Sequence, residues 1–315
     1  MIVRWGLDTL AQVLPGRPFL LATERWAAPV EVAGRWSELP YDDLAAIGRA
    51  AGSADVLVAL GGGSTIDTGK GVSAETGLPL VSVPTTYSGA EWTTYFGVRD
   101  PGRRMQGGGS GAHPHAIVYA PALTLDLPRE ATVGTALNAL AHAAEALYVQ
   151  QRNEQADLHA LAGARLIGEW LPRVVESPRD LEARTQLLRG AAEAGEALSL
   201  SMLGLGHAIA QALGGRYGLP HGAMNALALP PALRFNAALA PEAVRRFGEA
   251  LGTDDPAARV EELAALGGFG RLRDFGVPED ELDAVAEAAA SRAGNRANPR
   301  PASAAEIAAL LHSIA

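Results

Sequence analysis

Three histidines after residue 130 have side chains suited to acid–base or metal chemistry. His142 lies four residues after Asn138 on one predicted helix, so the two share a face, and His207 has the same spacing from Gln211 on another. His221 follows a proline at the start of a third predicted helix. A histidine, with an ordinary pKa of about 6.5, can move a proton at neutral pH, and three could hold zinc with one open position. They could equally be hydrogen-bonded core histidines.

A run of small residues in the first half predicts a phosphate-binding turn. It directly follows the apolar run 56–60, which is typical of a buried parallel strand, and consists of Gly61, Gly62, Gly63 and Ser64. Glycines at a strand-to-helix turn let the backbone approach a pyrophosphate, whose charge is met by N–H groups at the helix N-terminus. An ordinary glycine turn is the alternative. Asp67 and Lys70, at their offsets from the glycines, favour the cofactor site.

Two charged residues refine this prediction. Glu24 directly follows the predicted strand 19–23, where an acidic side chain can bind the adenosine ribose 2′-OH and repel a 2′-phosphate, which favours NAD over NADP. An exposed surface carboxylate is the alternative. Lys70 is the only lysine in a chain that otherwise uses arginine, so either a place beside the cofactor or packing against the sheet is expected for it.

Composition excludes several classes of function. The chain has 315 residues, 48% of them hydrophobic, which is enough for one large domain or two ordinary ones. It has no cysteine, which rules out disulfides, cysteine-bound zinc and a thiol nucleophile. A net charge of -9 disfavours nucleic acid as a partner. Neither a signal-peptide pattern nor a run of about 20 apolar residues is present, so no membrane contact and a cytoplasmic location are predicted.

The pattern of elements predicts an α/β domain over residues 1–130 and an all-helical domain over residues 131–315. In the first, short apolar runs predict strands at 19–23, 56–60, 81–84 and 116–119, with helices at 42–51 and after Gly63. The glycine-rich tract 107–111 is expected to be a mobile loop. In the second domain, helical periodicity covers 132–171, 180–213 and 221–235, with breaks expected at Pro172, Pro178, Pro220, Pro230, Pro231 and Pro241.

These motifs together resemble the iron-containing alcohol dehydrogenase superfamily, in particular its maleylacetate reductase branch. The resemblance to the superfamily rests on the glycine motif with Asp67 and Lys70, on Pro84–Glu91, on the Asn138–His142 helix, and on 206–222 and 295–301. The branch is indicated by Pro84–Glu91, Val118–Thr124 and Asn138–His142.

The resemblance implies a Rossmann-like nucleotide-binding domain followed by a helical catalytic domain, as in the dehydroquinate synthase-like fold. Residues 61–64 would hold the pyrophosphate of NAD(H), with Thr85 and Thr86 beside the cofactor. A homodimer is expected.

The departures from the family pattern concern the metal. Metal-dependent members use an aspartate and three histidines, and here Asn138 stands at the aspartate position while His142, His207 and His221 are kept. Gln211 replaces a further histidine and cannot relay a proton. We therefore predict a metal-free enzyme. If iron or zinc is bound, the three histidines are its expected ligands.

The predicted activity is NAD(H)-dependent interconversion of a secondary alcohol and a ketone. The proton would pass through His142, His207 or His221, with Asn138 beside them and Tyr87 or water as the other source. The substrate could be a small molecule of the maleylacetate type. Alternatively, the chain could be a tailoring dehydrogenase of specialised metabolism that oxidises a Thr-like alcohol on a peptide. A dicarboxylate would need cations, for which the candidates are Arg152, Arg216 and Arg234. The same motifs would also fit a non-catalytic family member that acts as a binding partner, or a synthase related to dehydroquinate synthase.

Overall fold

The computed structural model describes residues 1–102 and 104–315, and the chain divides into two compact units. The first unit comprises residues 1–86 and 90–125, and the second comprises residues 87–89 and 126–315.

A parallel sheet of six strands organises the first unit. In chain order, the strands of this unit are β1 (Ile2–Trp5), β2 (Pro18–Leu21), β3 (Gly34–Trp36), β4 (Val56–Gly61), β5 (Leu80–Pro84), β6 (Phe96–Arg99), β7 (Met105–Gly109) and β8 (Pro114–Tyr119). The order in the sheet is β1-β8-β5-β4-β2-β3, and β6 and β7 form a separate antiparallel pair. The predicted Rossmann-like architecture of this half is confirmed.

Both faces of the sheet are buried, which explains why β4 reads as an unbroken apolar run. Val58 and Leu60 pack in the core on one face, while Leu57 and Ala59 pack on the other face against the helices α1 (Leu44–Ala50) and α2 (Gly63–Thr76). The four predicted strands and both predicted helices are confirmed, with ends shifted by at most two residues. The strands β1, β3, β6 and β7 were not predicted.

The glycine tract at 107–111 was wrongly predicted to be a mobile loop. Its first three residues belong to β7, which pairs with β6 from Phe96 to Arg99. A Cβ on Gly108 would lie 2.7 Å from the Phe96 carbonyl oxygen, and one on Gly109 would lie 2.9 Å from the Phe96 ring. The glycines therefore allow the two strands to approach closely.

The second unit is helical, as predicted. Two of the predicted runs each contain two helices, because the chain turns at 147–153 and 200–204. Asn153 caps the helix after the first turn by accepting the Ala156 N–H. The helices are α3 (Arg129–Ala146), α4 (Glu154–Glu176), α5 (Leu181–Ser199), α6 (Leu205–Tyr217), α7 (His221–Ala237), α8 (Pro241–Leu251), α9 (Pro256–Ala265), α10 (Leu282–Ala290), α11 (Ala293–Ala297) and α12 (Ala304–His312).

Three prolines that were expected to end helices lie inside them. Pro172 is within α4, and Pro230 and Pro231 are within α7. A proline in a helix leaves the carbonyl four residues earlier without its usual donor, at a cost of about 3 kcal/mol. For Pro172 that carbonyl belongs to Gly168, and Arg259 of α9 donates to it at 3.5 Å. A contact from another helix thus offsets part of the loss.

In the described part of the chain, no helix combines the length and the apolar character that crossing a membrane requires.

Candidate active site

The glycine turn lies where β4 passes into α2. Gly62 is the extended N-cap residue of α2, and no side chain caps this helix end. A Cβ on Gly61 would lie 2.5 Å from Thr65 Oγ1, and one on Gly62 would lie 3.0 Å from Thr86 Cγ2. The turn therefore has no room for a Cβ at Gly61 and hardly any at Gly62. The N-terminal end of α2 that follows it can bind an anion.

Thr85 and Thr86 lie beside this turn, and their contact with the cofactor stays a prediction. The Thr85 N–H donates to the Gly61 carbonyl at 3.0 Å. The Thr86 hydroxyl oxygen is buried and has no hydrogen-bond partner among the described residues. A polar ligand bound at the glycine turn would give this hydroxyl a hydrogen-bond partner.

Glu24 lies at the same edge of the sheet. It is exposed in the turn after β2, and β2 runs parallel to β4 with Leu21 paired to Ala59. Because the carboxyl ends of parallel strands share one edge, the position suits a ribose contact, and this role stays a prediction.

Lys70 and Asp67 form a structural pair. Lys70 is 1% exposed, and its Nζ lies 2.8 Å from Asp67 Oδ1. The same Nζ donates to the carbonyls of Ala90 and Tyr95 at 2.8 and 2.6 Å, which anchors the segment after β5. Asp67 Oδ2 accepts the Gly97 N–H at 3.3 Å. Both carboxylate oxygens are used inside the unit, so the geometry favours a structural role for Asp67 over the predicted cofactor contact.

Glu91 is a buried acid in the same unit. It accepts the Tyr119 hydroxyl at 2.8 Å through Oε1, while Oε2 is buried without a described partner. Burial, the largest cause, raises the pKa of Glu91 from its ordinary value of 4.5. The folded state therefore holds this proton more tightly than the unfolded state does.

This raised pKa predicts a pH dependence of stability. The contribution of Glu91 is fully present below about pH 4.5 and is lost as the pH rises through the raised pKa. Urea unfolding between about pH 4 and pH 8 should show that Glu91→Gln loses less stability with rising pH than the wild type. Parallel curves for the two proteins would contradict this assignment.

The three predicted histidines lie together in the second unit. The rings of His142 and His207 stack with centroids 4.7 Å apart, and His221 lies 5.9 Å from His207. Helices α3 and α7 approach closely because each has a glycine where they meet, Gly134 on α3 and Gly222 on α7. A Cβ on Gly222 would lie 2.4 Å from the Gly134 carbonyl carbon. This contact brings the first residue of α7, His221, to the cluster.

A buried carboxylate that was not predicted orients His207. Glu145 is fully buried, and its Oε2 lies 2.6 Å from His207 Nδ1. It also accepts the backbone N–H groups of Gly204 and His207, at 2.6 and 3.0 Å. Glu145 lies three residues after His142 in an alanine-rich stretch of α3, and a lone acid on an apolar helical face was the signal in the sequence.

This contact determines which nitrogen of His207 faces the site. Because a carboxylate only accepts, Nδ1 carries a proton and donates it to Glu145. Nε2 is buried and has no partner among the described residues. His207 therefore presents Nε2 as its one unused nitrogen. Carboxylate–histidine pairs of this kind hold the imidazole in one orientation and one tautomer.

His142 differs from His207 in having no acidic contact in the described network. Burial, followed by the nearby His207 and His221, lowers the pKa of His142 well below 6.5. It is therefore neutral at physiological pH, which makes it a poor proton donor.

Asn138 has two close partners, and its Nδ2 also lies 3.4 Å from Nε2 of His142. Its Nδ2 donates to the Ser88 carbonyl at 2.7 Å, and its Oδ1 accepts from Nδ2 of Asn225, also at 2.7 Å. Asn225, one helical turn after His221, was not predicted, and only the fold shows that its amide also lies 3.1 Å from His221 Nε2.

Tyr87 is buried, and its hydroxyl accepts from Arg184 Nη1 at 3.2 Å. Its N–H donates to Thr135 Oγ1 at 3.3 Å. These contacts anchor Tyr87 in the second unit, and its role as an alternative proton source stays a prediction.

The three arginines suggested for a dicarboxylate already lie beside carboxylates. Arg216 and Arg234 are each 2.7 Å from a glutamate, Glu281 and Glu261 respectively. Arg152 lies 3.7 Å from Asp157. The structure therefore does not favour them as substrate ligands.

Comparison with known proteins gives consistent matches. Two family models match the chain: "Fe-containing alcohol dehydrogenase family, C-terminal" over residues 132–315 and "Iron-containing alcohol dehydrogenase" over residues 31–121. The maleylacetate reductase of Burkholderia cepacia is 40% identical over 249 residues, which cover 79% of this chain and 70% of that protein. The maleylacetate reductase of Sphingobium indicum is 39% identical over 262 residues, covering 82% and 73%.

Solved structures agree in fold. A putative alcohol dehydrogenase from Ralstonia eutropha JMP134 superimposes with a TM-score of 0.90 at 36% identity, over 99% of this chain and 95% of that one. The maleylacetate reductase from Agrobacterium tumefaciens gives 0.89 at 30% identity, with the same coverage.

Proposed function

Because the chain belongs to the iron-containing alcohol dehydrogenase family, we propose that it is an NAD(H)-dependent reductase of a small carbonyl substrate in which His207 supplies the proton. The observation that carries the proposal is the unused, buried Nε2 of His207 opposite its Glu145-bound Nδ1. The predicted homodimer and cytoplasmic location stay predictions.

The glycine turn of the first unit supports the cofactor assignment. Its uncapped helix end would receive the pyrophosphate, and the unsatisfied Thr86 hydroxyl would donate to it. When bound, NADH supplies the hydride.

The histidine cluster supplies the proton. Addition of a hydride to a carbonyl carbon, or to a C=C bond conjugated with the carbonyl, moves an electron pair onto the carbonyl oxygen. Protonated His207 would donate the Nε2 proton to this oxygen and keep the other proton on Nδ1, in its hydrogen bond to Glu145. The hydrogen bond to Glu145 holds the ring in place during the transfer, and the neutral imidazole remains after it.

The residues present do not fit the iron of the family name. Among the residues that the structure describes, no three His, Cys, Asp or Glu side chains are placed to hold a metal ion. Asn138 Oδ1 and His221 Nε2 both face the N–H groups of Asn225. We therefore propose a metal-independent reaction and route no step through a metal.

The relatives suggest the first substrate to test. Several are maleylacetate reductases at 36% to 40% identity, and maleylacetate contains a C=C bond conjugated with a ketone. Both kinds of reduction place charge on the same oxygen, so the proposed role of His207 holds for either.

The test combines cofactor titration with a substrate panel. NADH and NADPH binding would be measured by calorimetry, and NADH oxidation followed with maleylacetate, other oxo acids, uncharged ketones and aldehydes. Secondary alcohols, including a Thr-containing peptide, would be offered with NAD⁺. Binding of neither cofactor would contradict the proposal, while binding without turnover on any compound would favour a non-catalytic role. A preference for NADPH would contradict only the role of Glu24.

Gly62→Val is expected to weaken NADH binding by about 10-fold or more, which corresponds to about 1.4 kcal/mol. The added side chain must displace Thr86 and occupies the approach to the helix end. The matched control is Gly77→Ala, at the other end of α2, where nothing lies within 4 Å of the added Cβ. It should lower stability, because φ is +74°, and leave NADH affinity unchanged. Equal NADH affinities for the two variants would contradict the phosphate-turn assignment.

A further inference from the structure

Two buried amides connect the Ser88 carbonyl to His221. Asn138 donates to Ser88 and accepts from Asn225, whose Nδ2 faces Asn138 Oδ1 at 2.7 Å and His221 Nε2 at 3.1 Å. Asn225 is fully buried, and its Oδ1 has no partner among the described residues.

The orientation of both amides follows from the first contact. A carbonyl oxygen only accepts, so the Asn138 atom facing Ser88 is the NH₂ group and its other end is the oxygen. The Asn225 atom facing that oxygen must then donate, so it is also an NH₂ group. Because this group has no lone pair to offer, His221 Nε2 accepts from it and carries no proton.

The NH₂ group of Asn225 thus faces two side-chain lone pairs, on Asn138 Oδ1 and His221 Nε2. The N–H that faces His221 is shared with the backbone carbonyl of His221, 3.2 Å away. In metal-dependent members of the family, as the sequence motifs align, these two positions supply metal ligands. A cation there would need the same two lone pairs. A lone pair that accepts an N–H cannot also bind a metal, so the ion would have to displace the amide of a fully buried residue.

We propose that the Asn225 amide replaces the cation: it bridges Asn138 and His221 as a neutral double donor, fixes the tautomer of His221, and keeps metal out of the site. On this proposal, the asparagine at position 138 is not by itself the reason why the site binds no metal. This inference deepens the proposed function, because it makes Asn225 a positioning residue for the histidine cluster.

The proposal distinguishes two amide-to-acid changes of nearly equal size and identical charge. In Asn138→Asp, the Asn225 amide remains and still donates to the new carboxylate and to His221. In Asn225→Asp, the donor is gone, and a carboxylate faces Asn138 Oδ1 and His221 Nε2, which creates a set of three lone pairs. A simple charge effect would raise metal affinity equally in both.

Zinc binding to the full chain would be measured by calorimetry and by metal analysis after dialysis. We expect Asn225→Asp to bind one Zn²⁺ at least about 10-fold more tightly than Asn138→Asp. An affinity of Asn138→Asp that equals or exceeds that of Asn225→Asp would overturn the proposal, as would one tightly held Zn²⁺ per wild-type chain. If Asn225→Asp does not fold, Asn138→Asp/Asn225→Ala replaces it. The double variant should also bind Zn²⁺ at least about 10-fold more tightly than Asn138→Asp, and no gain would count against the bridge.

A second measurement reports on the positioning role. The ¹⁵N shifts of His221 should show an unprotonated Nε2 in the wild type and a mixture of tautomers in Asn225→Leu. A protonated Nε2 in the wild type would overturn the bridge. Neither experiment depends on turnover, so a chain that binds no NADH would refute the proposed function and leave this comparison valid.

Discussion

Replacing His207 with glutamine is expected to lower kcat by about 100- to 10,000-fold while NADH affinity stays nearly unchanged. His207 alone in the cluster combines a buried carboxylate on Nδ1 with an unused Nε2. Glutamine cannot exchange a proton at neutral pH. Corresponding variants of His142 and His221 should lose less, because His142 is neutral and His221 Nε2 accepts from Asn225.

The matched control is His159→Gln. His159 also contacts a glutamate, Glu193, at 2.7 Å. It lies on α4, outside the sequence motifs that contain the three clustered histidines, and is partly exposed. It should keep wild-type turnover. Near-native turnover of His207→Gln would refute the assignment and direct attention to Tyr87 or water as the proton source.

Replacing Lys70 with methionine is expected to lower the free energy of unfolding by about 3 kcal/mol, the scale for losing a buried charged partner. Methionine keeps most of the apolar stem but leaves Asp67 and the Ala90 and Tyr95 carbonyls without their shared donor. Since Asp67 is only partly buried and can be hydrated, the expected loss lies at the lower end of the range for fully buried pairs. Urea unfolding of the full chain measures it.

Arg17→Met provides the comparison for Lys70. Arg17 pairs with Asp55 on the surface at 3.7 Å, with both side chains mostly exposed. Such a pair contributes about 0–1 kcal/mol, so stability should change little. Equal losses in the two variants would mean that Lys70 is not the anchor of the segment after β5.

The parts of the fold that the sequence predicts are those fixed by local patterns. β4 and its glycine turn are one such part, because a strand buried on both faces is uniformly apolar and a close approach requires glycine. β1 and β3 lie at the two ends of the sheet order, where partial exposure weakens the apolar signal. Pro172 is tolerated in α4 through Arg259, nearly ninety residues later, and no local pattern announces such a contact.

In the candidate active site, too, local patterns predict some residues, whereas contacts between distant residues determine the others. Spacing and the family motifs identify the three histidines and Asn138. They do not identify Glu145 or Asn225, because the roles of both depend on contacts between helices: Glu145 on α3 with His207 on α6, and Asn225 on α7 with Asn138 on α3. Periodicity places a side chain on a helical face but does not determine its partner.

The burial of Lys70 has a consequence for covalent labelling. The chain has no other lysine, and Lys70 is 1% exposed with its amine fully hydrogen-bonded. Amine-reactive acylating reagents will therefore find no ε-amine on the surface of the folded protein. Acylation of Lys70 requires this part of the first unit to open, so its rate in native buffer, relative to that of an exposed amine, reports the population of the open state when reclosing is faster than acylation.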